Sequence, residues 1–162
     1  MRLVKKGDAD FVLGLRLDPK YNKHLSAVAN DIQKQIQWIK DYKKEEESGI
    51  QYYFIIEAGG KKCGTVRLYD FKYDSFCWGS WILNEDKTRY AAVESALLVY
   101  RFGFEQLCFK KSHFDVRKEN VGVVNFHKNF GAKIVDEDDD NFYFIYEREQ
   151  YSDALEKYSK FL

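Results

Sequence analysis

The residues of this chain with the clearest chemical potential lie between Ser75 and Glu105. Phe76-Cys77-Trp78-Gly79-Ser80-Trp81-Ile82-Leu83 reads as a buried strand, Asn84 to Tyr90 as a polar turn, and the residues after it as a long helix. A strand feeding a turn that opens a helix aims the helix's free N–H groups and positive dipole end at one point, which suits a phosphate or pyrophosphate. Lys87 and Arg89 stand in that turn, beside Thr88, Tyr90, Ala91 and Ala92. His127 is a second group of interest. It follows Val123 by four residues and Val124 by three, so on a helix it shares their inward side. Cys63, Cys77 and Cys108 show no CxxC spacing and read as free thiols, the commoner state of such residues in apolar segments. The acidic run from Asp136 to Asp140 lacks the glycine-centred spacing of a calcium loop and reads as a solvated hairpin turn. No metal site is expected.

These groups need elements to hold them. Gly79 inside its strand marks a bulge or a close backbone approach. In the long helix, Val93, Ala96, Leu97, Tyr100 and Phe104 recur at helical spacing and make one apolar face. Ahead of this block, residues 2–6 read as a short strand. A helix follows, capped by Asp8 or Asp10 and stopped before Pro19. An irregular link leads to a second helix from about Asp31 to Glu47, with Ile32, Ile36, Ile39 and Tyr42 inward. Strands Tyr52 to Glu57 and Lys62 to Tyr69 flank Gly59-Gly60, a hairpin signal, and lead into the central strand. After the long helix come a strand from Lys111 to Val116 and a helix from Asn120 to Phe130 closed by Gly131. Strands Ala132 to Val135 and Phe142 to Tyr146 follow, then a tail helix over 150–162. The fold class is α/β (α+β): a mixed, mostly antiparallel sheet of about seven strands flanked by about four helices, with one parallel pair around the long helix.

Composition narrows the function. The chain has 162 residues, 45% hydrophobic and 17% aromatic, and reads as a single folded domain over 1–162. Lys+Arg 26 balances Asp+Glu 26, which argues against a role on nucleic acid or an acidic membrane. The first residues carry no apolar signal core and no long apolar run is present, so a cytoplasmic location is expected.

The block Val116-Arg117-Lys118-Glu119-Asn120-Val121-Gly122-Val123-Val124-Asn125-Phe126-His127-Lys128-Asn129-Phe130-Gly131-Ala132 resembles the GNAT acyltransferases, which use acetyl-CoA. The likeness covers nearly the whole chain. Gly79-x-Trp81 and Ala92-Val93-Glu94-Ser95-Ala96-Leu97 look like the branch with ribosomal-protein N-terminal acetyltransferases and enzymes that acetylate nucleotide-linked amino sugars for surface glycans. The resemblance implies a splayed parallel strand pair and acetyl-CoA as cosubstrate. It implies that Trp81, Ile82 and Leu83 offer backbone groups to the pantetheine arm, and that Lys87, Thr88, Arg89, Tyr90, Ala91 and Ala92 cradle the pyrophosphate. Asn120 is then expected to bond the pantetheine arm. Two positions depart from the family: Tyr90 replaces a glycine of the phosphate turn, and His127 stands where the family has a tyrosine directed at the thioester sulfur. Lys87 and Arg89 can supply charge-assisted bonds in the glycine's stead.

Amide formation from a thioester needs a neutral amine, a polarised carbonyl and a proton for the leaving thiolate. His127 is the candidate donor of that proton, with Asp115 as a neighbour that would raise its pKa. The central strand has no acid, so Asp115, Glu57, Asp70 or an ordered water chain remain as routes to a base. An α-amine of pKa about 7.8 is roughly 14% free base at pH 7, against about 0.04% for a lysine amine. A weak base therefore suits a sugar amine or a protein N-terminus. By resemblance the link after the first helix covers the acceptor. Arg16, Asn22, His24 and Ser26 are its polar candidates, with Arg67 and Tyr69 from the sheet. Arg16 suits a nucleotide diphosphate, although pairing with a nearby Asp is the ordinary fate of such a residue. Three functions stay open: acetylation of a nucleotide-linked amino sugar, acetylation of a protein N-terminus, and a non-catalytic acyl-CoA-binding or partner-binding module. The expected partners are acetyl-CoA and a small amine-bearing acceptor, with homodimerisation left open.

Overall fold

The chain runs β1 (Arg2–Leu3), α1 (Ala9–Leu17), α2 (Ile32–Glu47), β2 (Tyr52–Ala58), β3 (Lys61–Lys72), β4 (Ser75–Leu83), α3 (Ala91–Arg101), β5 (Lys111–Arg117), α4 (Val121–Phe130), β6 (Lys133–Glu137), β7 (Asn141–Glu147) and α5 (Arg148–Lys157). This computed structural model describes residues 1–161. The strands form a sheet in the order β1-β2-β3-β4-β5-β7-β6. β4 and β5 are parallel, with Ser75 opposite Lys111 and Phe76 opposite Ser112. The ladders of β2 with β1 and β3, and of β7 with β5 and β6, are antiparallel. This is the mixed sheet the hydrophobic pattern predicts, a GNAT-type fold. Among the described residues there are five α-helices rather than about four, since the tail helix starts at Arg148. Leu162, the last residue of the expected tail helix, lies outside the described residues.

Contacts cluster into two units, one of residues 1–69 and 79–91, the other of 70–78 and 92 onwards. In the first, Val4, Ala9, Val12, Ile39, Tyr42, Tyr53 and Ile55 form the core. β1 is shorter than residues 2–6 because Lys6–Asp8 wind into a 3-10 turn. Asp8 does not cap α1 with its side chain. Its carboxylate, 3% exposed, instead accepts from Arg2 at 2.8 and 2.9 Å and from the Lys5 N–H, and pairs with Lys62 at 2.7 Å. Asp31 does cap α2, accepting from the N–H groups of Gln33 and Lys34.

The second unit is an aromatic core. Tyr100 stacks on Tyr146 at 4.1 Å and on Phe104 at 5.7 Å, and its hydroxyl accepts from the Trp78 indole at 3.2 Å. Ala96, Leu97, Tyr100 and Phe104 are buried as their spacing requires, whereas Val93 is only half-buried. α3 passes into a π turn over Phe102–Gln106, which presents Gly103 to the ring of Phe76. A Cβ there would lie 2.3 Å from that ring, so only glycine fits without moving it. α4 ends at Gly131, left-handed at φ 106, a conformation that disfavours any side chain. The acidic loop is the expected turn: Asp138 accepts from the N–H groups of Asp140 and Asn141 and from the Tyr143 hydroxyl.

Candidate active site

In the first unit β4 carries a kink. Ser80, not Gly79, takes the left-handed conformation, φ 48, which costs a non-glycine residue roughly 1–2 kcal/mol. The Thr65 hydroxyl, fully buried on β3, donates to the Ser80 carbonyl at 3.0 Å and holds the kink in place. Gly79 is the close approach: a Cβ would meet the Tyr69 hydroxyl at 3.0 Å. Further along, Gly64 of β3 faces the Ile82 carbonyl so closely that a Cβ would stand 2.2 Å from that oxygen. The Asn84 N–H donates to Cys63 O at 2.8 Å. β3 thus sets the path of Trp81, Ile82 and Leu83.

The turn after β4 is ordered by its own bonds. Asn84 Oδ1 accepts from the Asp86 N–H, the Lys87 N–H donates to Asn84 O, and the Ala91 N–H donates to Thr88 O. Glu85 and Asp86 pair with Lys20 and Lys61. Lys87, Thr88, Arg89 and Tyr90 are exposed, and the Arg89 guanidinium lies 5.4 Å from the centre of the Tyr90 ring. Tyr90 is not among the residues of positive φ, so a tyrosine in the glycine's place imposes no backbone strain.

A cavity of about 190 Å³ opens beside Ser80, lined by Val12, Arg16, Ser26, Val28, Gln35, Trp38, Tyr53 and Arg67. Three of the six acceptor-side candidates, Arg16, Ser26 and Arg67, line this cavity. Arg16 pairs with no aspartate. It donates to the Ser26 carbonyl and hydroxyl, both at 2.9 Å, and so pins the α1–α2 link to α1. The Asn22 amide donates to Arg16 O at 3.2 Å, closing the end of α1, and Asn22 is not among the residues lining this cavity. Arg67 lies over the Tyr69 ring at 4.3 Å and over Trp38 at 6.0 Å. Burial pushes the Tyr53 phenol up, while the Thr65 hydroxyl and the two guanidiniums pull it down. Trp38 and Tyr53 also line the cavity, and residue types and spacing do not single them out. The available signal was a lone tryptophan on the polar face of α2, between Gln35 and Lys40.

In the second unit His127 is 4% exposed, ringed by Phe114 at 4.4 Å, Trp78 at 5.3 Å, Phe126 at 5.5 Å and Phe144 at 5.8 Å. Burial lowers its pKa from 6.5 to about 3, so the ring is neutral at pH 7. The expected partnership with Asp115 is corrected. Phe114 and Val116 point into the core, which puts Asp115, exposed, on the opposite face of β5, opposite Tyr143. Asn120 starts α4 without a side-chain capping bond, so capping does not occupy its amide. Of the other acids considered, Glu57 is held by Arg2 at 2.9 Å, and Asp70 by Lys72 at 2.9 Å and His113 at 3.0 Å. His113 also meets the Ser75 hydroxyl at 2.6 Å, but Ser75 is 5% exposed, and this Ser-His-Asp chain braces the start of the parallel pair. Among the described residues no group of three or more His, Cys, Asp or Glu side chains is placed to hold a metal ion, and no helix is long and apolar enough to cross a membrane.

The model of the acetyltransferase (GNAT) domain matches residues 1–133. The chain belongs to the GNAT family. This acetyltransferase is accordingly an acetyl-CoA-dependent N-acetyltransferase. No curated protein matches the chain. Among solved structures it is similar to apo FdhC, described as a nucleotide-linked sugar GNAT, at 50% identity and TM-score 0.93, covering 99% of this chain and 93% of that one. It also shares its fold with spermidine N-acetyltransferase from Vibrio cholerae in complex with CoA and spermine, at 16% identity and TM-score 0.79, covering 93% and 96%. Ribosomal-protein-S5-alanine acetyltransferase from Vibrio fischeri gives 12% identity and TM-score 0.79, covering 93% of each chain.

Proposed function

We propose that this GNAT enzyme acetylates the amine of a nucleotide-linked amino sugar in surface glycan synthesis. The observation that carries the reading is the likeness, across 99% of the chain at 50% identity, to a nucleotide-linked sugar GNAT. The lining of the first unit's cavity supports it, because it holds two arginines and no carboxylate. A cation placed about 5 Å from one guanidinium is disfavoured by about 3 kcal/mol at an effective dielectric of 20, so a polyamine is a poor occupant.

In this reading the first unit supplies the backbone of Trp81, Ile82 and Leu83 for the acyl-bearing arm and Lys87, Thr88, Arg89, Tyr90 and Ala91 for the pyrophosphate. Ala92 and Asn120 are further residues assigned to acetyl-CoA. The acceptor nitrogen attacks the thioester carbonyl, the C–S bond breaks, acetyl passes to nitrogen as CoA leaves as thiolate, and the proton the nitrogen sheds is carried through water to the thiolate. The transfer is direct. Cys63 and Cys77 are buried, and burial pushes the Cys63 thiol up, away from the nucleophilic form. A sugar amine loses its proton near neutral pH, so no strong base is demanded. His127, neutral at pH 7, packs beside this chemistry without donating the proton. The test is CoA release from acetyl-CoA with nucleotide-linked amino sugars, spermidine and an alanine-led peptide as acceptors. Turnover confined to the sugars supports the reading, and a preference for spermidine or peptide refutes it.

A further inference from the structure

The cavity beside Ser80 is more cationic than transfer to an amine requires. Arg16 enters from the last turn of α1 and Arg67 from β3. Each guanidinium is only partly engaged. Arg16 spends Nη2 on Ser26 and also meets the Tyr53 phenol, and Arg67 rests its plane over Tyr69. The Nε of each is buried and meets no acceptor among the described residues. Several carboxylates elsewhere in this unit are each held by a cation: Asp8 by Arg2 and Lys62, Glu57 by Arg2, Glu85 by Lys20, and Asp86 by Lys61. Two guanidinium-bearing side chains lining one small cavity, with no acid in that lining, match a ligand that brings its own negative oxygens. Arginine's planar fork binds such oxygens in pairs, which a single lysine cannot do.

We propose that this cavity is a subsite for the diphosphate of the acceptor, bridged between Arg16 and Arg67, with Trp38 as the wall for the adjoining ring. The inference rests on the nucleotide-linked amino sugar reading and adds the part of that substrate recognised here. Size agrees with it. About 190 Å³ is room for roughly six waters of about 30 Å³ each, enough for a phosphate pair or one ring but not a whole nucleotide sugar. Tyr53 packs its buried ring against the cavity, and Ser26 fixes Arg16 by accepting from its Nη2. A polyamine brings no acceptor oxygen, and a free amino sugar brings no charge for the arginines.

The probe is uridine diphosphate, which lacks sugar and amine. It should inhibit competitively against the nucleotide-linked amino sugar and not against acetyl-CoA. It should also quench tryptophan fluorescence of the unmodified protein, a signal lost in Trp38→Phe. Arg16→Gln and Arg67→Gln should each raise the acceptor KM about tenfold or more while leaving the acetyl-CoA KM within about twofold. Arg67→Lys keeps the charge and loses the fork, and should show a smaller rise in the same direction. Competition of uridine diphosphate against acetyl-CoA alone, or unchanged acceptor KM in folded Arg67→Gln, overturns the subsite. So does equal turnover of the free amino sugar and its nucleotide-linked form. If no amino sugar is turned over, the functional reading fails instead, and quenching through Trp38 still decides whether the cavity takes a diphosphate.

Discussion

Replacing His127 by phenylalanine separates the packing of this ring from any proton it carries. With a folded pKa of about 3 against 6.5 in the open chain, the unfolded state takes up the proton first as pH falls. The neutral ring therefore opposes unfolding fully above pH 6.5, and that stability is lost as pH drops from 6.5 towards 3. At pH 5 the open chain has moved 1.5 units below its pKa of 6.5, and at about 1.4 kcal/mol per unit this is a loss of about 2 kcal/mol. That is a large share of the roughly 5–15 kcal/mol by which folded proteins are stable. Urea unfolding of parent and His127→Phe at pH 7 and pH 5 isolates the effect, because His24, His113 and the carboxylates are common to both. The parent should lose about 2 kcal/mol more than the variant between the two pH values. Turnover at pH 7 should fall by less than about threefold, since phenylalanine fills the cage of Trp78, Phe114 and Phe144. Equal pH dependence in the two proteins refutes the buried neutral ring. A loss of about 10²-fold in turnover with acetyl-CoA affinity intact would show that His127 donates the thiolate's proton after all.

Other perturbations test the path of β4 and the acetyl-CoA residues. Gly64→Ala drives a methyl against the Ile82 carbonyl and should destabilise by about 1–3 kcal/mol while weakening acetyl-CoA binding, read by urea unfolding and calorimetry. Thr65→Val removes the donor to the Ser80 carbonyl and should cost about 1–3 kcal/mol; adding Ser80→Gly, which eases the left-handed φ, should recover about 1 kcal/mol. Asn120→Ser should leave the melting temperature within about 1 °C, because no side-chain cap is lost, and raise the acetyl-CoA KM severalfold. Lys87→Ala with Arg89→Ala should weaken CoA binding about tenfold, an effect that shrinks as salt rises.

The sheet was legible because β5 and the end of β7 alternate buried and exposed residues at the strand period, β2 and β3 are short apolar runs buried on both faces, and Gly59-Gly60 and Asp138–Asp140 mark the hairpin turns. The parallel pair followed from one helix between two strands. The lining of the first unit's cavity was legible in part: Arg16, Ser26 and Arg67 were named from the sequence, while Trp38 and Tyr53 looked like ordinary core and surface rings. Placing them at the cavity required knowing how α2 crosses β2 and β3, which residue spacing alone does not encode. His127's inward side could be read from its helix, but its charge state could not, because Trp78, Phe114 and Phe144 reach it from three separate strands. The Asp115 error had a visible remedy. Phe114 and Val116 flank it with apolar side chains, and the strand period sends it to the other face. Gly79 was a true signal of close approach, yet the left-handed residue proved to be Ser80, whose hydrogen-bond donor, Thr65, sits fifteen positions away on another strand.

The measurement that bears most directly on the central claim is the specificity constant for acetyl transfer, followed by CoA thiol release at pH 7 with each acceptor in turn. The account predicts that a nucleotide-linked amino sugar is acetylated on nitrogen with a kcat/KM at least about 10²-fold above that for spermidine, for an alanine-led peptide and for the same amino sugar without its nucleotide. A spermidine or peptide constant equal to or above that of every nucleotide-linked amino sugar tried would contradict it.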